Sequence, residues 1–118
     1  ASFYFEASTG GYAAGESSFI GGIMLQLGLK NMVTPEMGAF PQINPEFVVR
    51  SNPQWIFLAE PMAQSLDKRP GWSAIQAVKY AHVCAFTARQ GNVLVRPGPR
   101  IGEAADMVVA CLQKATKP

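Results

Sequence analysis

One run constrains this chain more than any other. Trp55-Ile56-Phe57-Leu58-Ala59 is continuously apolar, with Asn52-Pro53 before it and Glu60-Pro61 after it. A strand with one face in water alternates apolar and polar residues. A strand-length run with no polar position is the kind buried on both faces of a parallel sheet. The flanking prolines lack an N–H and mark the ends of the run. A strand covered on both faces requires a layer on each side, so the remainder must supply helices and further strands.

It does so in alternation. Ser2 to Ala7 is aromatic-rich and strand-like. A glycine-rich loop from Ser8 to Gly15 follows, and Ser17 or Ser18 can cap a helix whose apolar face is Phe19, Ile20, Ile23, Met24 and Leu27. Gly28 can end it. Residues 31–42 read as irregular, and Phe40 there is either folded back on the core or part of a ligand wall. Asn44-Pro45-Glu46 combines a cap, a first-turn proline and an early acidic residue, opening a helix that stops at Asn52-Pro53. Residues 61–70 read as loop. Pro70-Gly71-Trp72 opens a short helix from Ser73 to Lys79, with Trp72 and Ile75 turned inward. Val83 to Thr87 is a third strand, and residues 88–92 are polar and loop-like. Val93-Leu94-Val95 leads into Arg96-Pro97-Gly98-Pro99-Arg100. A last helix then carries Ile101, Ala104, Ala105, Val108, Cys111, Leu112 and Ala115 on one face. The expected product is one α/β domain in three layers, a mostly parallel sheet flanked by helices.

Several functions are disfavoured. The 118 residues are 48% hydrophobic and 15% charged with net charge +2, and no basic run or zinc-finger spacing suggests nucleic acid. No apolar stretch approaches a membrane span. Glycines 10, 11 and 15 do not make G-x-G-x-x-G, and no Gly-Lys-Ser/Thr follows them. The loop is better described as exposing Tyr12 at the carboxyl end of a strand, the edge where open α/β sheets bind ligands. Arg96 and Arg100 flank a break just before a helix start, where they either meet an anionic group or are solvated. His82 has no metal-ligand companions, so a solvated or capping role is expected. Cys84 and Cys111 read first as two buried small hydrophobes, with a disulfide as the alternative in an oxidising compartment. The chain opens on strand residues rather than a signal peptide, so it reads as a piece of a longer protein.

Five motifs in order carry a resemblance. They are Gly15-Glu16-Ser17-Ser18-Phe19-Ile20 with Leu27-Gly28-Leu29-Lys30-Asn31; Phe40-Pro41-Gln42-Ile43-Asn44-Pro45-Glu46; Asn52-Pro53-Gln54-Trp55-Ile56; Pro70-Gly71-Trp72 with Ala77-Val78-Lys79; and Arg96-Pro97-Gly98-Pro99-Arg100-Ile101. Together they resemble the C-terminal lobe of the periplasmic binding proteins of ABC importers for cobalamin, haem and ferric siderophores. Two positions depart from the family pattern: Ala81-His82 stands where Asn-Gly is usual, and Gln54 where Asp is common. The resemblance spans essentially the whole chain and implies a Rossmann-like lobe, residues 1–118, with the N-terminal lobe and connecting helix outside this chain.

It also implies a function. Such proteins bind without catalysis or a cofactor of their own, hold a metal chelate between two lobes in the periplasm, and hand it to an inner-membrane ABC permease. Carried over by position, the ligand-binding residues are Tyr12, Phe40, Asn92 and Arg96, and Glu46 is the permease-docking acid. Arg89 and Trp72 are outside candidates, Trp72 being more often core. Aromatic faces suit a flat macrocycle, and an arginine suits a carboxylate, phosphate or catecholate oxygen. A Rossmann-like enzyme or nucleotide-binding domain is the alternative for the same layering; the missing phosphate-loop and metal-ligand spacings speak against it. A third class is an assembly module. A lobe without its partner is expected to self-associate through its open face.

Overall fold

The computed structural model describes residues 1–8, 10–87, 89–90 and 101–116. Strand β1 (Ser2–Ser8) turns into the short β2 (Tyr12–Ala13), and helix α1 (Phe19–Gln26) follows. Next come β3 (Lys30–Asn31), α2 (Pro45–Ser51), β4 (Trp55–Ala59), α3 (Glu60–Ala63), α4 (Gln76–Lys79), β5 (Val83–Phe86) and α5 (Ile101–Thr116). The sheet runs β2-β1-β4-β5, with β3 also on β1. β1 pairs in parallel with β3 and β4, and β4 with β5, while β1–β2 is antiparallel.

Alternate residues of each strand feed opposite layers, as a pleated strand demands. Phe3, Phe5, Trp55, Phe57, Cys84 and Phe86 pack with Ile20, Ile23 and Met24 of α1 and Ala104 and Val108 of α5. Tyr4, Ile56 and Leu58 pack on the other side with Val48, Leu66, Trp72, Ile75 and Ala77. The three-layer expectation therefore holds, and β4 is buried on both faces as its composition requires. Phe5, Phe57 and Phe86 stack across three neighbouring strands with ring centroids 5.9 and 6.3 Å apart. Such offset pairs contribute about 0.5–1.5 kcal/mol each beyond burial.

Local chemistry fixes the element ends. The Ser18 side chain caps α1 by accepting from the Gly21 N–H at 3.1 Å, and Asn44 caps α2 by accepting from the Glu46 N–H at 2.9 Å. Asn52 ends α2 in the left-handed region, which asparagine tolerates, and its Oδ1 accepts from the Gln76 N–H that opens α4.

Other expectations are corrected. Residues 61–70 are not simply loop: Pro61 sits in the first turn of α3, where its missing N–H costs nothing. A 3-10 turn at Leu66–Lys68 then buries Leu66. The expected helix from Ser73 to Lys79 is two pieces, a 3-10 turn at Trp72–Ala74 and α4, because Ile75 is extended and buried between them. Thr87 does not extend β5; its N–H and hydroxyl exchange hydrogen bonds with Gln90 in a capping box. The His82 ring stacks on Trp55 with centroids 4.4 Å apart and is half-buried, so it packs on one face and still meets solvent. Cys84 and Cys111 are joined in a disulfide that ties α5 to β5, with Cα atoms 6.0 Å apart. The reading as two separate thiols is wrong: the strand buries Cys84 and the helix packs partly buried Cys111 against the same layer, and that brings the sulfurs together.

Candidate functional site

The site is built at the carboxyl edge of the sheet. Past the end of β1 the chain reverses through Gly10 and Gly11, both in the positive-φ region that suits glycine. A Cβ on Gly11 would also press on the Ile43 carbonyl. The returning β2 pairs with the segment around Pro41: Ala13 N–H donates to the Pro41 carbonyl at 2.9 Å and Ile43 N–H to the Gly11 carbonyl at 2.8 Å. Tyr12 and Gln42 stand opposite each other in this antiparallel ribbon. Ala13 and Ile43 point inward and are buried. By alternation Tyr12 and Gln42 take the outer face, with Phe40 one diagonal step away on that face. Tyr12 is 42% exposed and Phe40 47%, so Phe40 is not folded back on the core.

The ribbon is held from behind. Gly15 N–H donates to the Ala39 carbonyl at 2.7 Å, and a Cβ at Gly15 would collide with the Gly38 carbonyl. A Cβ at Gly21 in α1 would in turn collide with the Gly15 carbonyl. Buried Asn31 donates to the Ala14 carbonyl and accepts from the Val33 N–H, both at 2.9 Å. These close approaches set the Phe40 segment against the glycine loop and the start of α1.

A second feature adjoins this face. Glu6, only 4% exposed, receives both terminal nitrogens of Arg69 at 2.8 and 2.9 Å and the Tyr4 hydroxyl at 3.0 Å. The Arg69 guanidinium lies over the Trp72 ring, 4.5 Å from its centroid. Burial, then the Glu6 charge, pushes the Tyr4 phenol far above its ordinary range, so Tyr4 remains a donor. The hydrogen bonds to Glu6 push Arg69 up despite its partial burial. A cavity of about 570 Å³ opens above this cluster, walled also by Gly10, Gly11, Gln42, Asn44 and Pro45.

Of the residues expected from sequence, Tyr12 and Phe40 share one exposed face. Glu46 is exposed in the first turn of α2. Asn92 and Arg96 lie outside the described residues, as does the Pro97-Gly98-Pro99 break. Trp72 is core, one wall of the cavity. The Glu6–Arg69 pair and Gln42 were missed. One signal for the pair was present: Glu6 is a lone charge in a strand with apolar residues on both sides.

The chain belongs to the periplasmic binding protein family, whose family model matches residues 1–89. It is 29% identical over 96 residues to an uncharacterized ABC transporter substrate-binding lipoprotein, YvrC, of Bacillus subtilis (strain 168), covering 80% of this chain and 29% of that protein. A structure from Staphylococcus epidermidis, described as a possible iron-binding (periplasmic solute-binding) protein, superposes with a TM-score of 0.81 at 24% identity, covering 94% of this chain and 44% of that one. The periplasmic vitamin B12 binding protein BtuF of Vibrio cholerae superposes with a TM-score of 0.80 at 24% identity, covering 99% and 46%. At these identities the two structures establish the fold. The chain spans less than half the length of each of these relatives.

Proposed function

We propose that this chain is the C-terminal lobe of a two-lobed, non-catalytic binding protein. It captures a metal chelate (a corrinoid, haem or a ferric siderophore) in the periplasm and delivers it to an ABC permease of the inner membrane. The observation that carries the reading is the exposed aromatic pair Tyr12 and Phe40, on one face of a braced ribbon at the sheet edge where α/β folds bind ligands. Two rings on a braced backbone offer an apolar wall with little backbone freedom to lose on binding. Family membership favours this over a Rossmann-like enzyme.

In this reading Asn92 and Arg96 add polar contacts, hydrogen-bonding amides and holding an anionic oxygen respectively. The metal arrives within the ligand, with no resident cofactor. Exposed Glu46 orients the lobe on permease arginines, adding specificity more than affinity. The open face of a lobe lacking its partner supports self-association.

The test is titration of the two-lobed protein with cyanocobalamin, haem and a panel of ferric siderophores, read by tryptophan fluorescence. Saturable binding of one chelate, weakened about tenfold by Phe40→Ala or Tyr12→Ala, is expected. Binding of none of them defeats the reading.

A further inference from the structure

The cavity beside the aromatic face has a chemistry of its own. We infer that it is a subsite for a neutral carboxamide group, an arm of the same ligand that lies on Tyr12 and Phe40; in that respect it rests on the proposed function. Continuity is the first argument. Gly10, Gly11 and Gln42 belong both to the cavity wall and to the ribbon that carries the rings.

Charge is the second. Among the described residues the charged side chains in the wall are Glu6 and Arg69, and they neutralise each other through two short hydrogen bonds. An incoming anion meets a guanidinium already matched by a carboxylate, and an incoming cation meets the converse. Displacing Arg69 strands the Glu6 charge, which is nearly inaccessible to water, and displacing Glu6 leaves a partly buried guanidinium unmatched; the first is the costlier. A neutral polar group is what the cavity can accept without that cost.

The third argument is the set of hydrogen-bonding groups left over. Arg69 gives Glu6 one hydrogen from each terminal nitrogen, and its remaining N–H groups have no partner among the described residues. Arg69 is 27% exposed, and it forms part of the cavity wall. Asn44 uses its Oδ1 on the Glu46 N–H, which leaves its Nδ2 as a donor. Gln42 uses its Nε2 on the Gly10 carbonyl at 2.9 Å, which leaves its Oε1 as an acceptor. Trp72, also in the wall, keeps a buried indole N–H with no partner among the described residues. That N–H has almost no accessible surface, so it serves as a neighbouring reporter of the cavity rather than as a contact to the ligand. The wall thus presents several donors and a side-chain acceptor. A carboxylate offers acceptors only and leaves Gln42 Oε1 facing it; an ammonium offers donors only. A carboxamide offers a carbonyl to the arginine side and an N–H to the glutamine.

The test uses the 118-residue chain labelled with nitrogen-15, titrated with propionamide and, separately, with propionate at equal ionic strength. The Trp72 indole and Gln42 side-chain amide resonances are followed. Saturable shifts with propionamide are expected, at least tenfold tighter than with propionate, and weakened about tenfold by Gln42→Met in a chain whose spectrum remains dispersed. Equal or tighter propionate binding, an unsaturated response, or indifference to Gln42→Met overturns the inference. A chelate that binds the two-lobed protein while propionamide leaves this cavity unshifted sinks the subsite alone. Propionamide binding without any chelate binding sinks the proposed function and leaves the cavity's chemistry intact.

Discussion

Replacing Arg69 by Met is the most informative perturbation of this fold. Methionine keeps an apolar stem against Trp72 but removes the guanidinium. Glu6, 4% exposed, then retains only the Tyr4 hydroxyl as a partner. Breaking a buried ion pair from one side costs about 3–5 kcal/mol. Because Arg69 is 27% exposed and water reaches that side, the lower end applies, about 3 kcal/mol. Loss of the cation–π contact lies within that figure. The assay is urea unfolding at pH 7.5 followed by far-UV circular dichroism, with the disulfide intact. Adding Glu6→Gln to Arg69→Met removes the stranded charge and recovers more than half the loss. A single-variant deficit under about 1 kcal/mol at pH 7.5, or a double variant no more stable than the single, refutes the reasoning.

Two further outcomes follow from the same structure. The Cys84–Cys111 bridge spans a sequence separation of 27, so its reduction should cost about 3.5 kcal/mol by loop-closure entropy, measured as a drop in the urea midpoint with dithiothreitol that Cys84→Ala/Cys111→Ala reproduces. Tyr4 keeps its proton in the folded state to well above its ordinary value of 10.0, whereas the unfolded chain releases it near there. Stability should therefore fall by about 1.4 kcal/mol per pH unit above pH 10 in part through this residue, and Tyr4→Phe, though less stable at neutral pH, should show a shallower alkaline decline.

The layering was legible because it is written in local composition. The five apolar residues of β4 require cover on both faces, and the caps at Ser18 and Asn44 mark helix starts within a few residues of the bonds they make. Tyr12 and Phe40 could each be singled out as aromatics in loops. That they share a face depends on the pairing of Tyr12 with Gln42, a register no local pattern encodes. Glu6 was visible as an oddity, but its partner lies 63 positions away in a stretch without periodicity. The disulfide was hidden for a related reason: each cysteine satisfies the pattern of its own element, and only the packing of α5 on β5 makes them neighbours. The short turns at Leu66–Lys68 and Trp72–Ala74 are too brief to show a repeat.

The contacts of Gly15 bear on how the site could change. Gly38 and Ala39 rest on it from one side and Gly21 of α1 from the other, while Asn31 fastens the neighbouring Ala14. The loop carrying Phe40, the glycine loop and the root of α1 are thereby a single casting, with the variable chemistry confined to side chains on its outer surface. Under the proposed function, a protein engineer seeking a different cargo has positions 12, 40 and 42 as exchangeable fittings. Positions 15, 21 and 31 are the mould, where a substitution alters the shape of everything mounted on it rather than the preference of the site.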